Sequence, residues 1–179
     1  RLWAEVFRTA EATGQPVPSE VYLIPDFNAF VMERDGGLFT SGPRVLGIGL
    51  PLLRSLTVSE FRSVLAHEFG HYASGDTRLG AWIYRTGTAI ERVLASPGHW
   101  AVQLLFGAYG KLFQWITSAI SRRQEFAADE MSARVAGPAS ALSALRKLET
   151  DGNLYGFYWV TEVEPLLVAG RRPPIREGL

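Results

Sequence analysis

Residues 65–72 read LAHEFGHY and hold two of the chain's three histidines. His67 and His71 stand four apart, and Glu68 directly follows the first. On a helix each residue turns about 100° and rises about 1.5 Å, so the two imidazoles lie about 40° apart on neighbouring turns. Ring nitrogens placed this way can grip one metal ion from the same side. Glu68, offset by about 100° from His67, reaches past the ion toward a water. A metal that acidifies water beside a carboxylate able to take its proton is the equipment of hydrolysis.

A catalytic zinc takes three protein ligands and keeps one position open, so two histidines are not enough. The chain has no cysteine, which leaves His, Asp or Glu as the third ligand. His99 follows Pro97-Gly98 in a loop, at no metal spacing. A carboxylate on another helix is the natural candidate, and SRRQEFAADE (121–130) offers Glu125 and Asp129 on one face. Glu125 as ligand, with Asp129 accepting the outer N–H of His67, supplies both a third donor and the partner that orients a histidine. Arg122, three residues before Glu125, shares that face as a further outer partner or a simple helix ion pair. The plainer readings are a partly exposed helix face with a Glu–His contact and a solvated pair of acids.

These residues need elements to carry them. Thr57-Val58-Ser59-Glu60 has the spacing of a capping box, a hydroxyl followed three residues later by a glutamate. Phe61, Val64, Leu65, Phe69 and Tyr72 then form an apolar stripe, so a helix is expected from about Ser59 to Ser74, stopping at Gly75. Further helices are expected at 76–95, 100–121, 122–136 and 139–150. SPGH (96–99) and Gly137-Pro138 act as breaks. The first third reads differently. Leu2, Trp3, Val6, Phe7 and Ala10 recur at helical spacing up to Gly14. Short strands are expected at 21–25, 28–33, 37–41 and 44–50, with RDGG (34–37) as a tight hairpin turn. Strands first and helices after make an α+β fold, with a small, mostly antiparallel sheet followed by a helical half.

With 179 residues the chain is expected to form a single domain, 1–179. Lys plus Arg is 18 and Asp plus Glu is 18, which gives no field to attract nucleic acid. The opening RLWAEVFRTAEATG lacks the apolar run of a signal peptide, and an Arg start with an REGL end points to a fragment of a longer protein. Residues 100–120 include one charge in 21 positions, long enough to be a membrane candidate. Gln103, Gly107, Gly110, Lys111, Gln114 and Ser118 fall on one narrow stripe, however, and a lysine at mid-span is expensive in lipid. The expectation is a helix packed on the catalytic core by that stripe. Its broad apolar side would face membrane lipid or missing transmembrane helices; burial within the domain is the plainer reading.

The segments NAF, LAHEFGHYASGD and SRRQEFAAD, in that order, resemble the membrane metalloprotease family of the HtpX heat-shock protease and the CAAX prenyl endopeptidase. The likeness runs from about Val21 to Arg176. It implies a minimal gluzincin fold, one Zn2+ per chain held by His67, His71 and Glu125, and Glu68 as the catalytic base. It implies a zinc-dependent endopeptidase acting on extended polypeptide in membrane-protein quality control or processing. The expected place is a bacterial inner membrane, with the catalytic domain on the cytoplasmic side. The alternatives are a prenyl-protein (CAAX-type) protease and a non-proteolytic metal-binding scaffold; a scaffold would have no reason to keep Glu68. Relatives often carry a His-Pro-Pro segment whose His stabilises the tetrahedral intermediate. Here GRRPPIREG (170–178) has Arg172 in that place, able to stabilise an oxyanion or to serve only as a basic tail. Asn28, Ala29 and Phe30, on the expected edge strand, are the candidates for pairing with a peptide by main-chain hydrogen bonds.

Overall fold

The computed structural model describes residues 1–34, 42–73, 76–96, 98 and 100–173. Helix α1 (Leu2–Ala12) leads to strands β1 (Glu20–Ile24), β2 (Ala29–Glu33) and β3 (Arg44–Gly49), then short helix α2 (Leu50–Ser55). The helical half follows: α3 (Val58–Ala73), α4 (Asp76–Ala95), α5 (Trp100–Ala136) and α6 (Pro138–Tyr158). A wide π turn (Trp159–Val163) runs into α7 (Glu164–Val168). The α+β order is as expected. The expected strand 37–41 and the tip of the RDGG turn lie outside the described residues, as does His99.

The strand order is β1-β3-β2. β3 pairs in parallel with β1 and antiparallel with β2, so the sheet is evenly mixed where a mostly antiparallel one was expected. The reason is placement: a strand set between two oppositely running neighbours must run parallel to one of them. One face of this sheet covers α3. Leu46 and Ile48 of β3 meet Phe61, Leu65 and Phe69 of α3 and Val6 and Ala10 of α1 in the main core. Phe61, Leu65 and Phe69 recur every four residues, so one stripe of α3 is buried, each side chain stabilising by about 1.5–3 kcal/mol. A second cluster joins Ala29, Leu52, Val64 and Ala144, which fixes β2 and α6 against the next stripe of α3.

The capping box at the start of α3 is formed. The Thr57 N–H donates to Glu60 Oε2 at 2.7 Å, and the Glu60 N–H donates to Thr57 Oγ1 at 3.4 Å. At the other end of α3 the Arg44 guanidinium of β3 sits 3.5 Å from the Tyr72 ring centroid. The two helices expected at 100–121 and 122–136 are one continuous helix of 37 residues, because no breaker separates Ser121 from Arg122. Gly137 ends it with a φ of +88°, and Pro138 opens α6 at once. α6 runs past the expected residue 150 to Tyr158. The π turn then falls just before Pro165, which has no N–H for the Thr161 carbonyl and pushes against it.

Candidate metal centre

α3 and α5 carry the centre, and their contact sets its dimensions. A Cβ added to Gly70 would lie 2.9 Å from Ala128 Cα, so the glycine lets the two backbones approach closely. At that separation α3 presents His67 and His71 to α5, which presents Glu125 and Asp129. His67 Nε2 and His71 Nε2 are 3.0 Å apart, and Glu125 Oε2 lies 3.6 Å from the first and 3.7 Å from the second. His67 Nδ1–H donates to Asp129 Oδ1 at 3.1 Å. That bond fixes the tautomer, leaving the Nε2 lone pair of His67 facing the other two donors.

A tetrahedral zinc with bonds of about 2.0–2.1 Å holds its donors roughly 3.3 Å apart. Two imidazole nitrogens and one carboxylate oxygen at 3.0, 3.6 and 3.7 Å therefore fit such an ion, and their chemistry suits zinc. Among the described residues, His67, His71 and Glu125 are the group whose ligand atoms could hold a metal together. Burial, followed by the neighbouring His71, holds the His67 imidazole below its ordinary pKa. The histidines are partly buried while Glu125 is exposed, so the group opens toward solvent on the carboxylate side.

Glu68 lines a cavity of about 100 Å³ with His67, Asp129, Ser63, Ser132 and apolar residues of α6, among them Leu145 and Leu148. Burial pushes its carboxyl up to about 7; His71 opposes that rise and Glu125 adds to it. Beyond the sequence expectation, the Ser63 and Ser132 hydroxyls meet at 2.6 Å between α3 and α5, both buried. The available signal was spacing: Ser63 is four residues before His67, and Ser132 is seven after Glu125 on the same stripe.

The other expected residues are arranged differently. The Arg122 side chain is exposed and makes no hydrogen bond or ion pair with any described residue, neither as an outer partner of the ligands nor as a helix ion pair with Glu125. Arg172 is exposed in the coil after α7, likewise without such a partner. Among the described residues β2 is an edge strand. Gly49 N–H donates to Asn28 O and Arg34 N–H donates to Pro43 O. By the antiparallel alternation, Asn28, Phe30 and Met32 spend their main-chain groups on β3, while Ala29, Val31 and Glu33 turn theirs to the open edge. The Ala29 N–H is taken by Asn28 Oδ1 at 2.9 Å, which leaves Val31 as the first free donor. Phe30 lies over Gly47 instead.

The model of peptidase family M48 matches residues 1–164. The chain is similar to the protease HtpX of Idiomarina loihiensis, 31% identical over 87% of this chain and 61% of that protein. A protease HtpX homolog of Acaryochloris marina is 30% identical over 99% of this chain and 64% of its own length. The metalloprotease LoiP of Escherichia coli is 32% identical over 76% and 54%. The chain thus spans less than two thirds of these relatives. No solved structure is a significant match.

Proposed function

The chain belongs to peptidase family M48, and on that premise we propose that it is the catalytic portion of a zinc-dependent endopeptidase acting on extended polypeptide. The observation that carries this reading is the set of three donors at 3.0–3.7 Å, with Asp129 orienting one imidazole. His67, His71 and Glu125 would hold the ion. Bound there, zinc would acidify a water and polarise the carbonyl under attack. Glu68 would take the proton of the attacking water on its carboxylate and return it to the leaving amine nitrogen. The Val31 N–H and C=O would receive the substrate main chain along the open edge of β2. The cavity beside Glu68, walled by Val64, Leu145 and Leu148, would exclude water from one side of the reacting bond.

Membrane association belongs to the same proposal. No helix among the described residues is long and apolar enough to cross a membrane. Yet α5 exposes Trp100, Leu104, Leu105, Leu112 and Trp115, an apolar face that suits a bilayer surface. A role in quality control or processing of membrane proteins follows only if that face meets lipid.

The test pairs elemental analysis with turnover. The purified chain should contain one zinc and cleave an unfolded polypeptide in a chelator-sensitive way. Glu68→Gln should keep the zinc and lose at least a thousandfold in kcat, on the order of 4 kcal/mol. Cleavage by that variant at the wild-type rate would remove Glu68 as the base. Zinc-free protein would remove the metal reading.

A further inference from the structure

α3 and α5 meet as a ladder of side-chain pairs, one rung per turn, with α3 descending as α5 ascends. His71 faces Glu125, His67 faces Asp129, and Ser63 faces Ser132. We infer that the Ser63–Ser132 hydroxyl pair is the positioning rung of this ladder, holding the axial register that brings Glu125 and Asp129 to the two imidazoles. The inference rests on the reading of His67, His71 and Glu125 as a metal centre.

Magnitudes make the register matter. A slip of one residue moves a helix about 1.5 Å and turns it about 100°. Metal–donor distances tolerate about 0.2 Å. Something must therefore hold the two helices far more tightly than a residue step. The Gly70–Ala128 contact, flanked by the Ala128 and Met131 side chains, sets how near they come, but it carries no directional bond. The His67–Asp129 rung is directional, but the Asp129 side chain is 46% exposed, so water competes for it. Ser63 and Ser132 retain only 2% and 4% exposure, and their oxygens sit 2.6 Å apart. A buried O–H···O bond keeps its length within a few tenths of an ångström, and breaking it leaves each hydroxyl to find a new partner at 2% and 4% exposure. The rung with no chemistry of its own is the stiff one.

The experiment uses the full chain as wild type, Ser63→Ala, Ser132→Ala and Ser132→Thr. For each, the zinc dissociation constant is measured by chelator competition, and melting is followed with zinc and with chelator. Both alanine variants are expected to bind zinc about tenfold more weakly, the scale of outer-partner losses. Their chelated forms should melt a few degrees below chelated wild type, the cost of one buried hydroxyl left unpaired, and beyond that the gain in melting temperature on adding zinc should shrink. Ser132→Thr keeps the hydroxyl, and its methyl can enter the adjoining cavity of about 100 Å³, so its affinity should stay near wild type. If Ser63→Ala does not fold, Ser132→Ala and Ser132→Thr carry the comparison between them. Alanine variants that bind zinc as tightly as wild type overturn the positioning role, however far their melting falls. An affinity loss that Ser132→Thr fails to restore overturns it too. Wild type that takes up no zinc overturns the metal reading itself and this inference with it.

Discussion

Glu60 is 5% exposed and works in two directions at once. It closes the capping box on Thr57, and it accepts from Lys147 Nζ at 2.8 Å and Ser143 Oγ at 2.6 Å across to α6. The Lys147 bond, then those of Ser143 and the Thr57 backbone, hold its carboxyl down to about 2 from an ordinary 4.5. A carboxyl whose pKa is lower in the folded state than in the unfolded state stabilises fully above the unfolded value. That stability fades as pH falls through the folded one. Acid titration of unfolding should therefore show a loss between about pH 4.5 and about pH 2 that is missing in Glu60→Gln. At pH 7 the same variant should cost about 2 kcal/mol, because Lys147 loses its ionic partner. Denaturant unfolding at both pH values measures this. An unchanged acid limb in the variant would mean that Glu60 contributes no charge-dependent stability.

α3 takes its position from neighbours on three sides, and two predictions belong to those contacts. Gly70→Ala places a methyl against Ala128 Cα, so α3 and α5 must part by some tenths of an ångström. Overpacking of this kind costs about 1–3 kcal/mol. Zinc affinity should fall with it, since the donors already stand at distances that fit. Calorimetry and metal competition would read the two effects separately. Val31→Pro removes a donor that faces the open edge of β2 rather than β3, so an edge strand should tolerate it. Zinc content and melting should stay near wild type while turnover of long peptides drops at least tenfold; turnover unchanged would rule out strand addition through Val31. The helices were legible because their signals are local: the cap at Thr57, the four-residue stripe of α3, and the glycine and proline at 137–138. The Glu125–Asp129 spacing was legible for the same reason. What was not legible depends on pairing between distant segments. The insertion of β3 between β1 and β2 leaves no mark in either strand's own pattern. The same holds for the Ser63–Ser132 meeting, and for which of Asn28, Ala29 and Val31 has a free N–H. Arg122 was placed with Glu125 by helix spacing, but no such pair forms in the structure.

On the scale of the whole molecule, the first 21 residues of α5 divide into a covered side and an exposed one. Phe106, Gly107, Gly110, Phe113 and Thr117 are the more covered side of this stretch, with Gly110 close to Ile90 of α4. Three members of the expected packing stripe, Gly107, Gly110 and Ser118, are thus partly covered, while Gln103, Lys111 and Gln114 are exposed. The remaining arc carries Leu104, Leu105, Tyr109, Leu112, Trp115 and Ile116, all exposed. Burying one leucine fully is worth about 1.5–3 kcal/mol, so a half-submerged row of this length can hold the chain on a bilayer without crossing it. Leu105→Glu with Leu112→Glu removes two of those contacts and adds two charges, all on a surface outside the metal centre. Sedimentation with phosphatidylcholine–phosphatidylglycerol vesicles should show wild type in the pellet, and the double variant at least tenfold weaker in binding. Zinc content and cleavage of a soluble polypeptide should be the same in both, because the substituted face lies more than three helical turns before Glu125. Wild type that stays in the supernatant, monomeric without detergent, would refute the membrane reading and leave the metal centre untouched. Equal loss of zinc in the double variant would instead mean that this part of α5 supports the helices carrying His67, His71 and Glu125 from within.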